Sequence, residues 1–138
     1  MDCEISTDPS RIDLDIVHDY LCHRSYWAQG RSRERIKQSI DNSMCFGLYD
    51  KQGQMLGFAR VVTDTVVFAY LMDFFIREDY RSRGLGSKLL RHILDQPELQ
   101  VRLWFLATQD AHPLYERFGF TALDDPERYM FKRDVRYL

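Results

Sequence analysis

Phe74-Phe75-Ile76-Arg77-Glu78-Asp79-Tyr80-Arg81-Ser82-Arg83-Gly84-Leu85-Gly86-Ser87 is the stretch from which the rest of the chain can be placed. An apolar run ends at Ile76 and a short basic loop follows. Gly84 and Gly86 then open a segment whose apolar residues, Leu85, Leu89, Leu90, Ile93 and Leu94, recur at helical spacing. Strand, loop and helix are predicted in that order. A helix start leaves backbone N–H groups without intrahelical acceptors and carries the positive end of the helix dipole. The two glycines clear side chains from the approach, while Arg81 and Arg83 add positive charge beside it. Together they make an anion cradle. A P-loop does not fit, because the upstream glycine is missing and Ser87 precedes Lys88. A dinucleotide fingerprint fails at its third glycine, where Leu89 stands. What is left is Arg-x-x-Gly-x-Gly between a strand and a helix.

Upstream, VVFAYLMDFFI (66–76) is almost unbroken apolar sequence and predicts a central strand covered on both faces. MCFGLYD (44–50) and QMLGFARVVT (54–63) predict a hairpin around the Asp50–Gly53 turn. CEIST (3–7) predicts a short first strand and DLDIVHDYLC (13–22) a helix. RSRERIKQSIDN (31–42) predicts a charged surface helix, capped by Ser32, with Ile36 and Ile40 turned inward. Downstream, Pro97 lies past the end of the helix that begins near Gly84. VRLWFLAT (101–108) predicts a further buried strand, AHPLYERFGF (111–120) a short helix closed by Gly119, and RYMFKRDV (128–135) a last strand. The order is strand, two helices, a three-strand meander, helix, strand, helix, strand. That is an α/β chain with a mixed sheet, not a regular βαβ repeat.

Composition narrows the function classes. At 138 residues the chain is predicted to form one domain, 1–138, large enough for its own core. Hydrophobic residues at 45% exclude a disordered chain. Lys plus Arg is 19 against 21 for Asp plus Glu, a net charge of -2, which argues against nucleic acid as a partner. No stretch has the apolar length of a bilayer span, and the N-terminus is polar, so neither membrane association nor secretion is expected. Cys3, Cys22 and Cys45 are an odd set without CxxC spacing and are expected as reduced thiols in a cytoplasmic protein. The histidines lack metal-ligand spacing, so no metal is expected. Cys22 and His23 are sequence neighbours on a helix and point to different faces, which disfavours nucleophilic catalysis.

Arg81, Gly84 and Gly86, with the lead-in Tyr80-Arg81, resemble the acetyl-CoA motif of the GNAT superfamily of N-acetyltransferases. A second block, Ala111, Leu114-Tyr115 and Phe118-Gly119-Phe120 after LWFLAT, is also similar to that superfamily in order and spacing. The resemblance covers residues 44–133 well and the N-terminal third in outline. It implies a GNAT-like acyl-CoA N-acyltransferase fold, a splayed central sheet flanked by helices. It further implies acetyl-CoA as co-substrate, and direct transfer of the acetyl group to a primary amine of a small molecule. A protein or peptide amino group is the alternative acceptor, and a non-catalytic acyl-CoA-binding module the alternative from another class. Monomer and homodimer both stay open.

The same resemblance suggests the site residues. Backbone groups around Phe74, Phe75 and Ile76 would pair with the pantetheine arm and polarise the thioester carbonyl, an effect often worth about 3 kcal/mol. The pyrophosphate would rest on the amides from Arg83 through Gly84, Leu85, Gly86 and Ser87, with Arg81 and Arg83 as its charged neighbours. Tyr115 matches the tyrosine that in many members lies near the CoA sulfur, where it could protonate the leaving thiolate; a ring packed on the sheet with its hydroxyl in solvent is the alternative. Asp110 stands where many relatives have an Asn contacting the cofactor; a helix N-cap explains it equally well. Asp73, the sole charge in its strand, is either a base or a hydrogen-bonded structural carboxylate. Asp73-Phe74-Phe75-Ile76 also resembles the polyamine acetyltransferase branch, but Met72 replaces that branch's glutamate. Glu78 is a second base candidate. Tyr26 and Trp27 fall where the acceptor pocket is shaped, as a cation–π surface for an amine or as core.

Overall fold

The computed structural model describes residues 2–23, 30–134 and 136. They divide into two compact units, Met1–Ala107 and Thr108–Leu138.

The first unit is a sheet of five strands in sequential order: β1 (Glu4–Ser6), β2 (Met44–Tyr49), β3 (Met55–Thr63), β4 (Phe68–Ile76) and β5 (Leu103–Phe105). The first four pair antiparallel, and β5 runs parallel to β4. The mixed sheet expected from the sequence is therefore present. The β2–β3 turn closes through Gly53 N–H to the Asp50 carbonyl, and Asp50 Oδ1 accepts the amides of Gln52 and Gln54. The next turn is organised by Asp64, whose Oδ1 accepts from the amides of Val66, Val67 and Phe68.

Helices α1 (Leu14–His23) and α2 (Arg33–Asp41) cover one face. Val17, Tyr20 and Leu21 of α1 and Ile36 of α2 pack with Cys45, Tyr49, Met55, Phe58 and Phe75 of the sheet. Burying Ile36 on an otherwise charged helix is worth roughly 2 kcal/mol and decides which face of α2 turns inward. Ser32 caps it as expected, accepting the Arg35 amide at 3.2 Å. Helix α3 (Leu85–Leu94) lies on the other face, because its His92 meets the ring of Phe46, and Phe46 points opposite to its neighbour Cys45. Leu85, Leu89, Leu90 and Ile93 form its buried stripe. Among the described residues no helix is long and apolar enough to cross a membrane.

Three expectations are corrected. β5 is three residues long, not eight, with Leu103 43% exposed. β4 is covered on both faces only in part: Tyr70 is exposed, and Val66 and Val67 belong to the exposed turn before it. In the second unit, α4 (His112–Glu116) forms, but residues 129–134 form no strand. Tyr129, Met130 and Phe131 are consecutive apolar residues, so no alternation marks an inner face, and Met130 and Phe131 are exposed.

Candidate active site

The site grows from an irregularity in β4. Phe58 pairs with Phe75 and Arg60 with Met72, so Ala59 alone opposes both Asp73 and Phe74. This is a β-bulge, and Asp73 adopts the left-handed φ of 53° within it. For a residue with a Cβ that conformation costs about 1–2 kcal/mol, with aspartate among the more tolerant. On its other side β4 pairs with β5 only through Tyr70↔Phe105. Beyond that point, over Leu71–Ile76, no strand adjoins this edge among the described residues, and the sheet opens.

The open edge leads into the basic loop. Arg77 N–H bonds the Leu56 carbonyl at 2.8 Å, and a single 3-10 turn, Glu78–Tyr80, redirects the chain. Gly84 then starts α3 at φ 77°, with no side-chain cap. The first helical bond runs from Lys88 N–H to the Gly84 carbonyl, which aims the preceding amides of the first turn out of the helix end. A Cβ built on Gly84 meets nothing within 4 Å. A diphosphate therefore fits here: the approach is bare and the dipole has the right sign.

The two arginines are anchored within the protein. Arg81 Nε donates to the Ile76 carbonyl at 3.2 Å, and its Nη2 donates to the Tyr20 hydroxyl. Arg83 Nη2 donates to the Asp79 carbonyl at 3.3 Å. Both shape the loop and lend it charge.

Asp73 is buried, and its Oδ2 accepts from Arg60 Nε at 2.9 Å and from Arg31 Nη1 at 3.0 Å. Of the two alternatives left open by the sequence, the structural carboxylate matches this arrangement. Taking up a proton there would discharge one partner of two ion pairs. Arg60 and Arg31 were not singled out from the sequence. The available signal was Arg60, a lone charge in LGFARVV, complemented by the lone opposite charge of the next strand. Glu78 lies exposed in the 3-10 turn.

In the second unit Tyr115 is buried on α4, its ring edge-on to Phe120 with centroids 5.8 Å apart. Its carbonyl accepts the amides of Phe118 and Phe120 and so closes the helix. Asp110 is exposed and does not cap α4; the cap residue is Ala111, without a side-chain bond, and Thr108 Oγ1 accepts the Ala111 amide. Tyr26 and Trp27 lie outside the described residues.

A cleft of about 250 Å³ in the first unit is lined by Asp13, Asp15, Ile16, Asp19, Tyr20 and Arg77. Asp15 also pairs with Arg33 at 2.9 Å. Burial pushes the Cys45 thiol up to about 12 and raises that of Cys22, which disfavours a thiolate at either. All three cysteines are free thiols.

The sheet thus opens beside a bulged strand that leads, through the basic loop, into a glycine-started helix. A family model, the acetyltransferase (GNAT) domain, matches residues 41–122, and the chain belongs to that family. It is similar to a crystal structure from Xanthomonas campestris pv. campestris assigned to the GNAT family of acetyltransferases. That structure is 36% identical, covers 97% of this chain and 94% of that one, and has a TM-score of 0.93. An uncharacterized N-acetyltransferase of Gracilaria tenuistipitata var. liui is 29% identical over 123 residues, 83% of this chain and 67% of that protein. In fold alone it is similar to N-acetylglutamate synthase of Neisseria gonorrhoeae, a structure in complex with coenzyme A and N-acetyl-glutamate. There the identity is 21% and the TM-score 0.69, over 92% of this chain and 30% of that one.

Proposed function

We propose that this acetyltransferase moves the acetyl group of acetyl-CoA to the primary amine of a small molecule, by direct attack with both substrates bound. The observation that carries this reading is the bare start of α3 at Gly84, set just past the open edge of β4. The amides from Arg83 to Ser87 hold the diphosphate. The backbone of Phe74, Phe75 and Ile76 aligns the donor arm, and an N–H there stabilises charge developing on the thioester oxygen. The amine nitrogen bonds to the carbonyl carbon as the carbon–sulfur bond breaks; the amine gives up one proton and the thiolate takes one. Tyr115 is the proton donor to sulfur. Water takes the amine proton, since the Asp73 carboxylate is occupied by two guanidinium groups. Asp110, exposed just before α4, is a further cofactor contact in this reading.

The small size of the Asp13–Asp19 cleft and its carboxylates support a compact cationic amine over a peptide. Tyr26 and Trp27 complete the acceptor side in this scheme. Free thiols suit a reducing compartment such as the cytoplasm.

Thiol release from acetyl-CoA, measured across small mono- and diamines and across peptides with free amino groups, tests this. Turnover with small amines is expected. Turnover confined to peptides would move the acceptor class, and tight CoA binding without turnover on any amine would leave a sensor instead of an enzyme.

A further inference from the structure

We propose that Arg60, Asp73 and Arg31 form a lock that holds the bulge in β4, making Asp73 a positioning residue for the acetyl-CoA site. This rests on the functional reading above and assigns its buried charges a role. The Asp73 and Arg60 side chains are only 2% and 8% exposed. Arg60 spends every nitrogen of its guanidinium. Nε bonds Asp73 Oδ2, Nη1 bonds Ser43 Oγ at 3.1 Å, and Nη2 reaches Met72 Sδ at 3.3 Å. Met72 and Asp73 are sequence neighbours, yet both touch the same guanidinium. An unbroken strand would send them to opposite faces; the bulge brings them to one. Arg31, immediately before the Ser32 cap, ties the start of α2 to the same oxygen.

The consequence falls on the residues that follow. If the extra residue were absorbed into a regular ladder, each position after Asp73 would change face. Phe75 would leave the ring of Tyr20, and the backbone of Phe74 to Ile76 would present different groups to the open edge. A buried ion pair is a poor source of net stability, but it is an effective way to select one arrangement over a near-equivalent one. Here the selected arrangement is the one that sets which backbone groups of Phe74 to Ile76 face the open edge.

The test uses Asp73→Ala, Asp73→Asn and Arg31→Gln. Asparagine tolerates the left-handed conformation and keeps an oxygen toward Arg60; Arg31→Gln leaves the Arg60–Asp73 pair intact should Asp73→Ala fail to fold. Asp73→Ala is expected to raise KM for acetyl-CoA about tenfold while kcat falls less than about threefold, with Asp73→Asn restoring most of the loss and leaving the acid limb of the pH profile in place. Arg31→Gln should give a smaller rise in KM. A fall in kcat of about a hundredfold in Asp73→Asn, with KM unchanged or the acid limb gone, would make Asp73 the base and overturn the lock. Equal KM in all variants would overturn it as well. Amide hydrogen exchange at Phe74–Ile76, read without any ligand, separates the two levels of the claim. It should quicken in Asp73→Ala and recover in Asp73→Asn even if wild-type protein releases no thiol. Unchanged exchange rejects the lock, whereas absent CoA binding by the wild type rejects only the donor site.

Discussion

Tyr20 lies flat on Phe75, with ring centroids 4.0 Å apart and planes 7° from parallel. Its hydroxyl receives Arg81 Nη2, and Arg81 Nε reaches the Ile76 carbonyl. One residue of α1 thus joins the end of β4 to the loop that enters α3. Tyr20→Phe keeps the stack and releases Arg81. It should lower stability by about 1 kcal/mol and weaken CoA binding measurably, by calorimetry. Tyr20→Ala also removes a buried ring and should cost about 3–5 kcal/mol in a urea melt.

Gly84→Glu places a carboxylate where the diphosphate is expected. CoA binding should be lost while the fold survives, since a side chain there enters open space. Gly84→Ala is the control: it carries only the left-handed strain, about 1 kcal/mol, and should retain binding. Unchanged affinity in Gly84→Glu would remove the cradle from this position.

Tyr115→Phe preserves the edge-on contact with Phe120 and removes only the hydroxyl. Turnover should fall by roughly tenfold or more, with CoA affinity nearly unchanged, because proton transfer contributes only in the transition state. If kcat is untouched, water is the acid.

Burial holds the Cys45 thiol neutral, raising it from its ordinary 9.0 to about 12. The folded value exceeds the unfolded one, so the associated stability is full below pH 9 and is lost as pH climbs toward 12. Cys45→Ala should cost about 1 kcal/mol at pH 8, for the small cavity, and the gap from wild type should narrow above pH 9 in urea melts.

Helices α1, α2 and α3 follow from apolar residues three and four apart, and their ends sit within a residue or two of the predicted ones. Ser32 declared its own cap, and the Asp50–Gly53 turn between two apolar runs its own hairpin. These signals involve neighbours along the chain, so no knowledge of the rest of the molecule is needed. The glycine-started helix after a strand was legible for the same reason.

Other features needed the assembled molecule. Residues 129–134, within RYMFKRDV, have strand-forming side chains but no ladder among the described residues, because a strand exists only with a partner. VRLWFLAT is shortened to Leu103–Phe105 by where β4 turns away. The bulge is a mismatch between two strands, invisible in either alone. Arg60 and Arg31 reach Asp73 across 13 and 42 residues of sequence, and Arg81 reaches Tyr20 across 61. The one-dimensional order of residues therefore sufficed for the helices, the hairpin and the glycine that starts α3. Which charges neutralise one another, and how β4 is bent to open the sheet, was decided by packing, because hydrogen bonds and ion pairs form between groups that only the folded chain brings within 3 Å or so.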